Sequence, residues 1–275
     1  MDDTCFQNKN CIKGKRGYIE MNFYVLVKQT FDTEEKIVLR DGVIDDQGVK
    51  YVINPYDEYA VEEALLQRDK LGGNVYVIAV GPSRMQDALR TALAMGADEA
   101  ILINDGQIPQ DEYSVAKVLA TYLAKQQVDV LIGGNFSVDS GGGQVAIRTA
   151  QLLGFAHASS ITSLAINGTK ATVIRDAEGD SETLEVQLPA LFTAQQGLNE
   201  PRYPSLPGIM KAKKKPFSEL SLSDLGLTAS DINAKTKQIS LQLPPQRQAG
   251  QILTGDIREQ SLQLASIIGS VRGNG

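Results

Sequence analysis

The sequence predicts an α/β fold built on a mostly parallel, doubly wound sheet, with a small antiparallel addition and a C-terminal arm. Three observations lead there. Short continuous apolar runs such as Phe23–Val27, Val75–Val80 and Val128–Ile132 read as strands buried on both faces. Segments with helical periodicity alternate with them, the signature of βαβ units. The length of 275 residues holds one large α/β domain plus an appendage.

The elements follow in order. Phe23–Val27 is a buried strand. Ile37–Leu39 and Val43–Ile44 flank Asp41-Gly42, the turn chemistry of a small hairpin. Asn54 is placed as an N-cap, with Pro55 at the first helical position and Asp57 at the third, facing the helix dipole. Ala60, Val61, Ala64 and Leu65 then line one face. Val75–Val80 is a strand ended by Gly81-Pro82. Ser83 is expected to cap a helix that buries Met85, Ala88, Leu89, Ala92 and Leu93. Ala100–Ile103 is a strand, Tyr113–Lys125 a helix and Val128–Ile132 a strand. Gly133–Gly143 is a Gly-rich loop and Gln144–Leu153 a helix. After Ser159 the pattern changes. Ile161–Ile166, Ala171–Arg175, Glu182–Gln187 and Ala190–Thr193 read as strands of an antiparallel addition at one sheet edge. Phe217–Leu227 is expected to hold a short helix, Pro244-Pro245 breaks any continuation, and Ile257–Val271 is an amphipathic helix.

Composition excludes several classes. The chain carries 27 Lys and Arg against 33 Asp and Glu, a net charge of −6 that argues against a general nucleic-acid binder. No apolar run approaches the ~18 residues of a membrane span. Both cysteines, Cys5 and Cys11, lie within the first eleven residues, so the body suits a reducing compartment. Residues 1–20 are polar and aperiodic. They read as a disordered leader or, preferably, a translated upstream region with Met21 the working start. They lack the character of a signal or transit peptide, which favours a bacterial cytoplasm.

Ligands of open α/β sheets sit beyond the carboxyl ends of the strands. Leu26–Lys28, Asn54, Val80-Gly81 and Gly133–Val145 converge on that edge. In the last of these, GGNFSVDSGGGQV, Gly141, Gly142 and Gly143 have no Cβ, so their N–H groups can crowd around an anion. The helix after Gln144 adds its positive end. There is no Walker lysine, which suits a nucleotide that is held and not cleaved. No catalytic or metal-binding constellation is present. His157 has no acid–base partner in sequence and reads as structural. Glu62 and Glu63, adjacent on a helix, do not face each other and read as solvent-facing or ion-paired.

Asn199–Lys215 (NEPRYPSLPGIMKAKKK) reads as a stiff surface loop, because Pro201, Pro204 and Pro207 remove donors and fix φ. Leu206 is a single apolar anchor in its middle. Lys211, Lys213, Lys214 and Lys215 form a basic cluster behind it, and the combination points to docking.

The segment closely resembles the recognition loop of electron transfer flavoprotein beta subunits. Similar matches occur at Asn54–Ala64 (NPYDEYAVEEA), Thr91–Asp98 (TALAMGAD) and the Gly-rich loop around Asp139–Val145. The resemblance implies an adenine nucleotide alpha hydrolase-like fold over 21–215, with 216–275 as an arm that packs on an alpha subunit. It implies a structural AMP held by Leu26, Asn54, Ile78, Val80, Ser137, Asp139, Ser140, Gly141, Gly142, Gly143, Gln144 and Val145. Tyr56 matches a flavin-contact position, and FAD is implied mainly on the alpha subunit. Leu206, Arg202 and Lys211 are implied to dock acyl-CoA or other dehydrogenases, with a quinone oxidoreductase downstream. Such a subunit is an electron carrier without bond-making chemistry of its own. The family's loop reads like A-I-D-x-D-x-x-Q, and here the second acidic position is Gly141. Two alternatives stand beside this reading: a bifurcating subunit with a second FAD in the AMP site, and a stand-alone nucleotide-binding regulator that forms a homodimer without flavin.

Overall fold

The computed structural model describes residues 20–245 and 249–272. The expectation for residues 1–19 of the leader lies outside that range. Of the described residues, 20–38 and 46–239 form one compact unit. Leu39–Asp45 and the described residues from Ser240 onward form a second.

The first unit begins with β1 (Met21–Leu26) and β2 (Gln29–Phe31). The short strands β3 (Leu39–Arg40) and β4 (Val43–Ile44) belong to the second unit. They pair antiparallel across Asp41 and Gly42, whose φ values of 52° and 76° are those of the expected tight hairpin turn. The chain continues through β5 (Tyr51–Ile53), α1 (Pro55–Leu71), β6 (Gly73–Val80), α2 (Met85–Met95), β7 (Glu99–Ile103), α3 (Glu112–Leu123), β8 (Val130–Gly134) and α4 (Val145–Leu153). Then come β9 (Ala156–Asn167), β10 (Lys170–Ala177), β11 (Asp180–Gln187), β12 (Ala190–Ala194), α5 (Leu206–Ala212), β13 (Phe217–Leu220), α6 (Leu222–Leu225) and a 3-10 turn at Ala229–Ile232. In the second unit, α7 (Ile257–Arg272) matches the expected C-terminal helix.

The main sheet has nine strands in the order β11-β10-β9-β12-β8-β1-β6-β7-β13. From β9 through β13 in that order, every pairing is parallel; only β9-β10-β11 is antiparallel. Alternation along β1 explains the two layers. Phe23 and Val25 point to a core shared with α1 and α2, while Tyr24 and Leu26 point to a core shared with α3 and α4. Phe23 and Val25 are fully buried, each contributing roughly 1.5–3 kcal/mol of transfer free energy.

Two expectations are corrected. Ala190–Thr193 is not part of the antiparallel edge: β12 runs parallel between β8 and β9. All five of its residues are buried, as a central strand demands and an edge strand does not. Beyond residue 215 the first unit continues to Ile239. The short helix expected within Phe217–Leu227 is α6 (Leu222–Leu225), and ahead of it Phe217–Leu220 adds a parallel edge strand beside β7, with Phe217 opposite Ala100. Four residues are too few to show a period of their own. Finally, Ser83 does not cap α2, whose N-cap position is Arg84; the Ser83 hydroxyl accepts from Asn104 Nδ2 at 3.0 Å.

Candidate functional site

The chain lays β1, then β6 and β7 outward on one side, and returns to place β8 on the other side of β1. This reversal opens a crevice at the strand carboxyl ends, the topological switch point where open α/β sheets take ligands. A cleft of about 360 Å³ lies there. Leu26, Ile78, Val80 and Val145 supply apolar wall, while Lys28, Asn54, Ser137, Asp139 and Ser140 supply polar groups.

One carboxylate ties the floor together. Asp57 Oδ2 accepts from Lys28 N at 2.7 Å, and Oδ1 accepts from Asn54 Nδ2 at 3.0 Å and Gly134 N at 3.1 Å. Its ends therefore clamp the exits of β1 and β8 to the start of α1. Burial pushes its pKa up to about 7, against the opposing pull of these donors. Gly134 is required beside it, because a Cβ there would overlap Asp57 Oδ1. Asn54 sits at the N-cap position of α1 but makes no cap bond with its side chain. Its amide instead donates to Phe136 O and its Oδ1 accepts from Val138 N at 3.2 Å, so it anchors the Gly-rich loop.

Above the floor, Lys28 Nζ pairs with Asp139 Oδ1 at 2.8 Å and reaches Ser137 Oγ at 3.3 Å. Burial alone would raise the Asp139 pKa, but the Lys28 ammonium and the Ser137 and Ser140 hydroxyls outweigh it and hold the carboxyl below its usual value. The loop turns at Gly141 with φ of 65°. A Cβ at Gly143 would come within 2.9 Å of Asn135 O, so only glycine fits without backbone movement.

Of the residues expected to line the cleft, Leu26, Asn54, Ile78, Val80, Ser137, Asp139, Ser140, Gly142, Gly143 and Val145 do so. Gly141 forms the turn outside the lining. Gln144 directs its side-chain oxygen to Arg148, at 3.0 and 2.6 Å, and its backbone N–H to Glu112. Tyr56 is also outside the lining; its ring packs on Phe136 with centroids 4.2 Å apart. Lys28 and Phe136 fall within segments expected at this edge, and Asp57, Arg84 and Glu112, not expected there, line the cleft as well. The signal available for Asp57 was an acid set among residues that all lie at strand or helix ends.

The docking segment is half corrected. Residues after Ser205 are not loop: Leu206–Ala212 is helical, with Ser205 Oγ accepting from Gly208 N at 3.1 Å and Pro207 in the first turn. Leu206, Tyr203 and Met210 are exposed, at 75%, 94% and 61%. Lys211 is exposed beside them. Arg202 is engaged elsewhere. Its guanidinium makes a two-pronged pair with Glu62, Nε to Oε2 at 2.8 Å and Nη2 to Oε1 at 2.9 Å. Glu62 and Glu63 are both buried. Glu63 accepts from Gln67 Nε2 at 2.7 Å and Asn199 Nδ2 at 3.1 Å, so both acids root the segment on α1. Lys215 likewise donates to Leu93 O and Ala97 O, at the end of α2. His157 is exposed on β9.

Fold and site together define a doubly wound α/β protein with a small-molecule crevice at its switch point, reached by Met85 at the start of α2, and an exposed apolar helix, α5, near Ala94 at the other end of α2. Residues 41–225 match the electron transfer flavoprotein domain family. The chain is 52% identical over 252 residues to the electron transfer flavoprotein subunit beta of Bacillus subtilis (strain 168), covering 91% of this chain and 98% of that protein. It is 43% identical to the subunit of the same name from Syntrophomonas wolfei, over 84% of this chain and 89% of that protein. The human subunit beta is 40% identical over 84% of this chain and 92% of its own length. The chain belongs to the electron transfer flavoprotein family, among its beta subunits. Among the described residues no helix is long and apolar enough to cross a membrane.

Proposed function

We propose that this chain holds AMP in the switch-point cleft and serves as the beta subunit of a heterodimeric electron carrier. The cleft carries the reading. At about 360 Å³ it lies at the small end of the ~300–1,000 Å³ of small-molecule sites, a size suited to a mononucleotide rather than a dinucleotide. Its residues fit that ligand. Leu26, Ile78 and Val80 offer an apolar bed for a base, and Gly142 and Gly143 bring backbone into the lining where a phosphate would approach. Lys28 is a cation within reach of the same loop.

FAD, when bound mainly by the alpha subunit, supplies the redox chemistry. Tyr56, backed by the Phe136 ring, is the wall this chain turns toward it. Leu206, Tyr203, Met210 and Lys211 form the surface that meets acyl-CoA or other dehydrogenases, and a quinone oxidoreductase receives the electrons. Arg202 supports that surface through Glu62. Residues from Ser240 onward, with the apolar side chains of α7, clamp the alpha subunit. The work is placed in the bacterial cytoplasm.

Co-purification with the alpha subunit, denaturation and chromatography of the released cofactors test this. Equimolar AMP and FAD are expected. A second FAD with no AMP would move the protein to the bifurcating class, and a flavin-free homodimer would make it a stand-alone nucleotide-binding regulator.

A further inference from the structure

We propose that Glu112 sets the phosphate-charge selectivity of the cleft, admitting a nucleoside monophosphate and disfavouring each further phosphate. The inference rests on reading the cleft as a nucleotide site. Glu112 opens α3, but that helix is already capped, because Asp111 Oδ1 accepts from Ser114 N at 3.2 Å. The Glu112 carboxylate crosses to the neighbouring helix instead. Its Oε1 accepts from Gln144 N, the N-cap of α4, at 3.3 Å. Gly142 makes room for it, since a Cβ there would lie 2.9 Å from Glu112 Oε1. Glu112, Gly142, Gly143 and Val145 all line the cleft.

The first-turn N–H groups of α4 have no carbonyl partners within the helix, and its positive end favours an anion. The anion seated there is the Glu112 carboxylate. The Lys28 ammonium, a second attraction for a phosphate, is likewise matched, by Asp139. Arg84 is held by Gln29 Oε1 at 2.7 Å and lies over the Tyr51 ring. Asp57 and Asp111 are occupied with backbone donors, Lys28 N and Lys235 N among them. A phosphate therefore enters a lining that sets the cations Lys28 and Arg84 against the acids Asp57, Asp111, Glu112 and Asp139. One anionic group displaces the long, exposed Glu112 contact, but the displaced carboxylate stays nearby. Every additional negative charge on the ligand meets it in a lining where acids outnumber cations.

The test uses the full chain with its alpha subunit, depleted of bound nucleotide. Adenosine, AMP, ADP and ATP compete with a fluorescent AMP analogue, for wild type, Glu112→Gln and Glu112→Lys. Glutamine retains the size and the acceptor for Gln144 N while removing the charge. Affinity in the wild type should fall from AMP to ADP to ATP. With adenosine as reference, Glu112→Gln should shrink each step by about fivefold, an effect that fades in high salt as charges are screened. Glu112→Lys should reverse the order. Unchanged ratios in variants that still bind AMP and melt like the wild type would overturn the proposal. A wild type that binds none of the four would sink the nucleotide reading itself, and this inference with it.

Discussion

Asp57 accepts three hydrogen bonds, from Lys28, Asn54 and Gly134, and is 5% exposed. Its folded pKa, about 7, lies above the ~4 of an unfolded aspartate. The folded state thus binds this proton more tightly. The contribution to stability is fully present below about pH 4 and is lost as pH rises through about 7, a change on the order of 3 kcal/mol. Wild type should accordingly show a stability component that declines between pH 4 and pH 7 in denaturant titrations, and Asp57→Asn should remove it. An identical slope in the two proteins would show that the carboxylate is not the titrating group. Leu206 is the opposite kind of residue. At 75% exposure it adds little to folding, yet an exposed anchor can carry ~2 kcal/mol or more of interface energy. Leu206→Ala should slow electron transfer from the dehydrogenase while the flavin spectrum and Tm stay as they are. Stopped-flow reduction of the heterodimer reads this directly, and unaltered rates would remove Leu206 from the docking surface.

At the scale of elements, the Gly-rich loop and α5 show how local chemistry was read correctly in one place and incompletely in another. The loop from Gly133 to Gly143 has the expected strand–loop–helix setting between β8 and α4. Its glycines differ in what they tolerate. At Gly142 an added Cβ meets the flexible end of Glu112, which can move. At Gly143 it meets the backbone oxygen of Asn135, which cannot without shifting the loop. Gly143→Ala should therefore cost about tenfold or more in AMP retention, as a displaced backbone cradle loses on the order of one hydrogen bond to the phosphate, whereas Gly142→Ala should cost much less. Equilibrium dialysis of the two variants makes the comparison, and equal losses would contradict the backbone clash. In α5, three prolines between 201 and 207 suggested loop throughout. Pro207 falls in the first turn of a helix capped by Ser205, where a missing N–H costs nothing.

At the scale of the whole molecule, the chain divides into an α/β unit and a second unit that holds the β3–β4 hairpin and the C-terminal segment. In α7, Ile257, Leu262, Leu264, Ile267 and Ile268 are all exposed, between 43% and 85%. Burying three or four such side chains against a partner would contribute roughly 5–10 kcal/mol gross, before the cost of ordering. Truncation after Leu243 should thus weaken association with the alpha subunit far more than it disturbs nucleotide binding. Co-purification of the truncated chain decides it: association at full strength would show that the arm is not the clamp.

From residues alone, the sequence specifies the α/β class, the elements with strong periodicity and the arrangement of the cleft's apolar bed. Leu26, Ile78 and Val80 end continuous buried runs, and a parallel sheet must bring such ends to one edge. It also marked Asp41-Gly42 as a turn and Ile257–Val271 as a helix, because those signals are local. The rest required the assembled fold. The place of Ala190–Ala194 between β8 and β9, and of Phe217–Leu220 beside β7, depends on strand pairing across long separations, which no window of four or five residues encodes. The same holds for polar partners. Arg202 finds Glu62 across 140 positions, and Lys28 finds Asp139 across 111. Asp57 and Glu112 became site residues for that reason: their roles come from donors delivered by other elements, and a buried or bridging carboxylate acquires its meaning from whatever the fold sets against it.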